Sequence, residues 1–494
     1  MATKQRFSKG VAWMAVGNWS EQLVNFLVFM LLSRLLGAES FGLLTMAIVP
    51  VILGEGLVRE TLSEYVFSAR DITDSDINTV FWALAAFGAL LSLILFLGGP
   101  LVASFYGIKQ VQYLMWAAVP IVFTTAITAV PVALLRRQLR LRPLAIRAVA
   151  GVVSGGIVGL GLALTGFGVW ALIFQRIALN LTNVVLAWRA VDWRPSLQFD
   201  PRRLRMLTSF GSHVIGMRGA EMANAQMPSI VIGATLGPAS LGFYTIAWRL
   251  VEICSFLIVT PLRMAALPSF TAQRSIGNTA GELLLDILRV ASFVALPAFF
   301  GLAIVSEQVV VLFGGEKWLP AAPVLSVLAF YGFFLCIAKI EEAFAFAFGH
   351  VRELAFLANA ALISGTLALV ALSGQKLEWM VIAYVATAYL LSPLRWWLIG
   401  RHASLSISRL MRPHFATLFG GLIMVLGLRV IDPYLLGLPA FPTLLIKAVV
   451  GIGLYAGVAM ITMRRRLAMT QSYLSGLFRP AAPAAAPKTQ DTPS

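Results

Sequence analysis

Charge is scarce in this chain of 494 residues: Asp, Glu, Lys and Arg together make up 12% of it, about half the share of an ordinary soluble domain. So few ionised groups cannot cover a water-facing surface. The mean hydropathy of +0.85 also exceeds what a single core can bury, because the buried fraction is limited by surface scaling. A soluble globular protein is therefore excluded. Cysteine is nearly absent, and Cys254 and Cys336 both lie inside apolar runs, which excludes a secreted disulfide scaffold. The few histidines, His213, His350, His402 and His414, show no metal-ligand spacing with cysteine or carboxylates along the chain, so no metal is expected. No G-x-x-x-x-G-K-[ST] run occurs, so no ATP-hydrolysing module, no other cofactor and no enzyme chemistry are expected. Acidic residues are the scarcer sign, 22 against 38 Lys and Arg. The basic residues fall in short clusters between apolar runs, as topology signals do, and not along one face as a nucleic-acid partner requires.

The apolar runs define the chain. A helix needs about 20 mostly apolar residues to cross the hydrocarbon. That ruler finds candidates near 11–34, 41–62, 80–104, 112–135, 145–165, 168–190, 210–234, 240–262, 286–312, 321–347, 352–373, 378–399, 415–435 and 442–463. The runs are too long for barrel strands and lack their alternation, so the expected fold is an all-α integral membrane protein of fourteen transmembrane helices. The first run follows Lys4, Arg6 and Lys9, but it is too long for a signal peptide and contains Glu21; it reads as a retained helix. With the N-terminus in the cytoplasm, the even-numbered spans end beside the basic clusters. These are Arg136, Arg137, Arg140, Arg142 and Arg147; Arg189, Arg194, Arg202, Arg203 and Arg205; then Arg401, Arg409 and Arg412, and Arg464 to Arg466. Both termini are then cytoplasmic. Asp71, Asp74 and Asp76 fall in a cytoplasmic loop and read as solvated charge. The Pro/Ala-rich stretch after Arg479 has nothing to bury and is expected to be a disordered tail.

An internal repeat organises these spans. The stretch from Leu36-Gly37 to Ala47 recurs from Leu236-Gly237 to Ala247 at a constant offset of 200, with Leu, Gly, Ser, Gly, Thr and Ala identical. Six spans per half is an even number, so both halves enter the membrane in the same direction, as in parallel-repeat transporters with a site between the halves. The expected units are an N-lobe at 1–200 (helices 1–6), a C-lobe at 201–400 (helices 7–12), helices 13–14 at 401–470, and the tail at 471–494.

Ionisable groups inside spans are costly unless they face a cavity or one another. In helix 1, Asn18, Glu21, Gln22 and Asn25 share one face at i, i+3, i+4 and i+7. At the repeat positions in helix 7 stand Arg218 and Glu221, one turn apart. Helix 8 carries Arg249 and Glu252, helix 2 Glu55 and Arg59, and helix 10 Lys339 and Glu342; such local pairs read first as charge neutralisation. Lining of an inter-lobe cavity is the expected role of the helix 1 and helix 7 stripes. For an anionic diphosphate, Arg218 and Arg249 are the leading candidates and Arg59 the third, since a guanidinium matches phosphate oxygens. Glu21, Glu221 and Glu252 are candidates for ion coupling. The Arg136–Arg147 cluster reads as a topology signal that could also draw anionic headgroups to the mouth.

The stretches Leu35-Leu36-Gly37 to Phe41-Gly42, Gly166-Phe167-Gly168-Val169-Trp170-Ala171-Leu172 and Lys317-Trp318-Leu319-Pro320-Ala321-Ala322-Pro323 resemble the bacterial polysaccharide-transporter family. This is the Wzx-like oligosaccharide flippase branch of the multidrug/oligosaccharidyl-lipid/polysaccharide superfamily. The resemblance runs from about residue 5 to residue 410 and departs at Pro228-Ser229, where many relatives carry an Asp-Arg pair. It implies a V-shaped pair of six-helix lobes in the bacterial inner membrane. It also implies alternating access for undecaprenyl-diphosphate-linked oligosaccharide, with a polysaccharide polymerase and chain-length proteins as possible partners besides the bilayer. The rival readings are a membrane glycan polymerase or ligase and a drug/cation antiporter of the same superfamily. The first needs a large outer loop with catalytic Arg or His, whereas the outer connections here are short and hold no histidine.

Overall fold

In lipid a backbone N–H or C=O finds no water, so long apolar runs must close their own hydrogen bonds as helices. The computed structural model describes residues 2–60, 72–273, 280–435 and 437–462. Within these stretches the side chains of residues 2–12, 15, 60, 202–218, 220, 221, 265, 267, 268, 272, 273, 351 and 416 are outside the description. The described residues contain no strand. Their α-helices are α1 (Ala2–Leu35), α2 (Ala38–Glu60), α3 (Asp74–Tyr106), α4 (Lys109–Ala118), α5 (Pro120–Arg137), α6 (Leu141–Leu164), α7 (Val169–Ala190) and α8 (Pro201–Gln273). They continue as α9 (Ala280–Ile304), α10 (Ser306–Gly314), α11 (Ala322–Phe348), α12 (Val351–Ala371), α13 (Leu377–Leu390), α14 (Ser392–Ala403), α15 (Ile407–Ile431) and α16 (Ala440–Thr462). A 3-10 turn, Glu316–Ala321, leads into α11. Among the described residues twelve helical segments are long and apolar enough to cross a bilayer; the protein is a multi-pass membrane protein. The tail after Arg479 and Asp71 lie outside the described residues.

Helix ends depart from the hydropathy runs where caps and prolines intervene. In the run at 112–135 the helical hydrogen bonding is interrupted at Val119 because Pro120 has no N–H to donate, but Val119 keeps helical φ −51° and ψ −41°, so α4 and α5 form one span, Lys109–Arg137. The run at 286–312 splits between α9 and α10, and that at 378–399 between α13 and α14, with Pro393 in the first turn of α14. Helix α3 starts six residues before the run at 80–104, at Asp74. There the Thr73 hydroxyl accepts from Asp76 N–H and the Asp76 carboxylate accepts from Thr73 N–H at 2.9 Å, a reciprocal cap that satisfies two orphan donors. Asp74 and Asp76 thus belong to a helix start, and Asp76 is buried. The apolar stretch Met222–Thr271 is 50 residues long, about 75 Å if continuous and over twice the hydrocarbon thickness. Gly237 breaks it with φ 78° and ψ −177°, backbone open almost only to glycine.

Neighbouring helices pack as α1 on α6, α6 on α7, α2 on α8, α8 on α11, α9 on α11 and α15, and α15 on α16. Core side chains such as Met46, Leu84, Leu135, Phe270, Phe299 and Trp318 are fully buried, while Leu97, Leu101, Phe419 and Ile452 stand exposed on outer faces, where lipid is their solvent. At the end of the bundle that carries the α1–α2 turn, α2 and α8 meet backbone to backbone. A Cβ on Gly42 would lie 1.7 Å from the Pro238 carbonyl oxygen, and one on Gly242 1.9 Å from that of Ala38. Beside this contact the Thr45 and Thr245 hydroxyls are 3.1 Å apart. Trp318 packs edge-on to Phe41 and Phe243 and donates its indole N–H to the Ser33 carbonyl at 2.8 Å. Lys317 Nζ donates to the Arg34 carbonyl and Arg34 Nη2 to that of Leu312. Two of the distinctive sequence stretches, around Gly37–Gly42 and Lys317–Pro320, therefore meet in a single latch.

Candidate functional site: a charged cavity walled by α1, α2 and α5–α8

Toward the other end of α2 the same helices diverge around a cavity of about 880 Å³. Its walls carry Glu21 and Asn25 from α1, Glu55 and Arg59 from α2, Thr125, Thr128 and Arg136 from α5, and Arg147 from α6. Gln175, Arg176, Asn180 and Asn183 come from α7, and Arg249 and Glu252 from α8. Five arginines against three glutamates leave an excess of positive charge in a space bounded by apolar helices.

One wall is a hydrogen-bonded network. Buried Glu55 accepts from Arg176 Nη2 at 2.9 Å and from the Thr125 hydroxyl at 3.2 Å. Asn180 Nδ2 reaches Thr125 Oγ1 at 3.5 Å, and the Thr124 hydroxyl donates to Asn180 Oδ1 at 2.6 Å. These bonds lock α2, α5 and α7 together and hold the Arg176 fork at the cavity surface. On α8, Arg249 Nη1 donates to Glu252 Oε2 at 2.6 Å, so that arginine enters the cavity already partly neutralised. Arg59, Arg136 and Arg147 converge on the cavity from three different helices. Among the described residues, Arg147 Nε and Asn183 Oδ1 are buried with no hydrogen bond. Both keep hydrogen-bonding capacity that a polar group in the cavity could take up.

The structure brings together Glu21, Asn25, Arg59, Arg249 and Glu252 from the sequence-based candidates. It leaves out Asn18, which is exposed, and Gln22, which is half-buried; neither lines the cavity. The stripe on α1 spreads about 100° around the helix, and only its Glu21–Asn25 edge is turned inward. The side chains of Arg218 and Glu221 lie outside the described residues, although both fall on α8. The expected neutralisation of Lys339 by Glu342 occurs, at 2.7 Å. Glu55, by contrast, pairs across to Arg176 and not along its own helix to Arg59. Sequence reasoning missed Arg176, Asn180 and Asn183, although they stand at i, i+4 and i+7 of an apolar run, the same signal that marked helix 1. Arg136 and Arg147, read from the sequence as topology signals that could also draw anionic headgroups to the mouth, both line the cavity.

The arrangement can hold a polyanionic headgroup in a wet, positively charged niche while excluding it from the apolar helices around it. The fold has clear counterparts. The lipid II flippase MurJ in an inward closed conformation superposes with a TM-score of 0.74 at 13% identity, covering 92% of this chain and 99% of that one. An inward-facing multidrug transporter of the MATE family gives 0.60 at 16% identity, covering 78% and 94%. Both likenesses concern the fold. In sequence, the succinoglycan biosynthesis transport protein ExoT of Rhizobium meliloti is 25% identical over 399 residues, 79% of either chain. The teichuronic acid biosynthesis protein TuaB of Bacillus subtilis is 24% identical over 333 residues, 67% of this chain and 68% of its own. The family model described as polysaccharide biosynthesis protein matches residues 31–323, more than half of the length, and the chain belongs to that family.

Proposed function

We propose that this protein is a flippase for undecaprenyl-diphosphate-linked oligosaccharide, carrying an O-antigen, exopolysaccharide or capsule repeat unit across the bacterial inner membrane by alternating access. The observation that carries the reading is the arginine-rich cavity, polar and open to solvent within a bundle whose outer faces are apolar. A volume of about 880 Å³ suits a diphosphate with its first sugars, while a polyprenyl tail stays in the lipid. The relatives support it: ExoT is named a succinoglycan transport protein, WzxC of Escherichia coli a lipopolysaccharide biosynthesis protein, and MurJ a lipid II flippase. Fourteen crossings, two six-helix lobes at 1–200 and 201–400, and cytoplasmic termini complete the proposal. The meeting of Thr45 with Thr245, 200 residues apart, and the break at Gly237 support the two-lobed part.

Arg59, Arg136 and Arg147 are the proposed diphosphate ligands, joined by Arg249 from α8, with Arg218 kept as a candidate on its place in the sequence; Glu21, Glu221 and Glu252 are the proposed coupling carboxylates. Product would pass to a polysaccharide polymerase and chain-length proteins on the outer face. The test is deletion of the gene, followed by analysis of surface polysaccharide and lipid-linked precursors. Loss of polysaccharide with accumulation of precursor on the cytoplasmic side is expected, and restoration by the wild-type chain but not by Arg147→Ala. Loss of one charge-assisted contact corresponds to about tenfold or more in binding. Unchanged polysaccharide together with new drug sensitivity would overturn the proposal in favour of a drug/cation antiporter.

A further inference from the structure

Far along the chain from the cavity residues, the fold assembles a side-chain cluster that its linear spacing conceals. Helix α11 ends on Gly349, whose φ of 84° places it in the left-handed region, and His350 N–H donates back to the Ala345 carbonyl at 2.9 Å. This turn sets His350 at the start of α12, with Glu353 in the first turn of that helix. His402 comes from the last turn of α14. His402 Nε2 lies 3.2 Å from Glu353 Oε1, and the two imidazoles stack with centroids 3.5 Å apart and planes 23° from parallel. One ligand atom from each of the three residues lies within 4.8 Å of the others, and all three side chains are half-buried.

We propose that His350, Glu353 and His402 form a binding site for a divalent transition metal of the zinc class. The bound ion would tie the α11–α12 turn to the end of α14. Two imidazoles and one carboxylate are a borderline donor set, matched to zinc with water in the fourth position. Magnesium and calcium prefer oxygen donors throughout. Ligand atoms around a tetrahedral zinc stand about 3.3 Å apart at bond lengths near 2 Å, so the cluster needs only a modest contraction. The stacked rings must splay, because an ion cannot lie in the planes of two nearly parallel imidazoles at once. Half-burial leaves room for that rotation.

The site is independent of the flippase reading, and its test reads metal binding, not transport. The full chain is purified in detergent without a polyhistidine tag, stripped with a chelator and titrated with Zn²⁺ against a chromophoric competitor while thermal unfolding is recorded. One equivalent should bind at micromolar or lower concentration and raise the unfolding temperature. His350→Ala, His402→Ala and Glu353→Gln should each weaken binding about tenfold or more, and millimolar Mg²⁺ should not compete. Glu353→Gln preserves side-chain size, so it remains informative if an alanine variant fails to fold. Zn²⁺ affinity unchanged in Glu353→Gln and the histidine variants, no binding at 100 µM in the wild-type chain, or displacement by Mg²⁺ would each overturn the proposal.

Discussion

Glu341 shows what a single charge requires in such a bundle. It is 1% exposed, and a polar group buried that deep is destabilising unless a partner offsets its lost solvation. Arg395 is that partner: its Nε donates to Glu341 Oε2 at 2.5 Å and its Nη2 to the Ala338 carbonyl at 2.6 Å, tying α11 to α14. Removing one partner strands the other, so Arg395→Ala should destabilise the protein by about 3–5 kcal/mol. The double variant Glu341→Gln, Arg395→Ala should recover part of that loss, since the two changes share one interaction. Denaturant unfolding in detergent measures both, and a double variant no better than the single would contradict the account. The Arg176–Glu55 pair differs. The Arg176 side chain is 36% exposed to the cavity but that of Glu55 only 8%, so Arg176→Ala strands a buried carboxylate and should cost more than the about 1 kcal/mol of a surface pair, short of the about 3–5 kcal/mol of a fully buried one. If Arg176 serves the cavity, Arg176→Lys, which keeps a cation for Glu55 but loses the fork, should lower surface-polysaccharide output at nearly normal protein levels.

At the scale of elements, the contact between α2 and α8 decides which end of the bundle is shut. Glycine at 42 and 242 lets each helix rest on a carbonyl of the other, at spacings where a Cβ would overlap Pro238 or Ala38. Gly42→Ala should therefore push the helices apart, at about 1–3 kcal/mol of overpacking, and favour the state open at this end. A Thr45→Cys, Thr245→Cys pair reports on it directly, because the hydroxyls it replaces are 3.1 Å apart. With Cys254 and Cys336 replaced, mild oxidation should cross-link the pair and stop transport until reductant is added. Adding Gly42→Ala should slow the cross-link; an unchanged rate would show that the glycine contact does not hold this end closed. At the break in α8, Gly237→Val meets a backbone conformation that side chains avoid, and about 1–3 kcal/mol of destabilisation is expected.

For the molecule as a whole, orientation is the open physical question that charge answers. The cavity arginines Arg136 and Arg147 flank the α5–α6 junction, at the basic end of the bundle, while the latch around Trp318 lies at the other. With the basic end in the cytoplasm, Phe167→Cys between α6 and α7 should react with an impermeant thiol reagent added to intact cells. Arg140→Cys should react only after permeabilisation. Labelling of Arg140→Cys in intact cells would invert the orientation, and with it the direction assigned to transport.

The helical membrane fold was legible from composition because the bilayer's demand is local: each run of about 20 apolar residues must satisfy its own backbone wherever its neighbours are. The gap between the runs ending at 234 and starting at 240 was legible for the same reason; helical period set Glu21 and Asn25 on one face of α1 together with Asn18 and Gln22, but not which edge of that stripe turns inward. What lay beyond the sequence was every interaction between helices. Glu55 could have paired with Arg59 four residues on, yet α2 packs so that it meets Arg176, 121 residues away. His350 and His402 have no pattern in common until α12 and α14 bring them to one spot. Periodicity ranks the faces of a helix by polarity but carries no information about which face meets which neighbour. That pairing is settled by shape, where two glycines let α2 and α8 touch and where the bundle parts around its arginines.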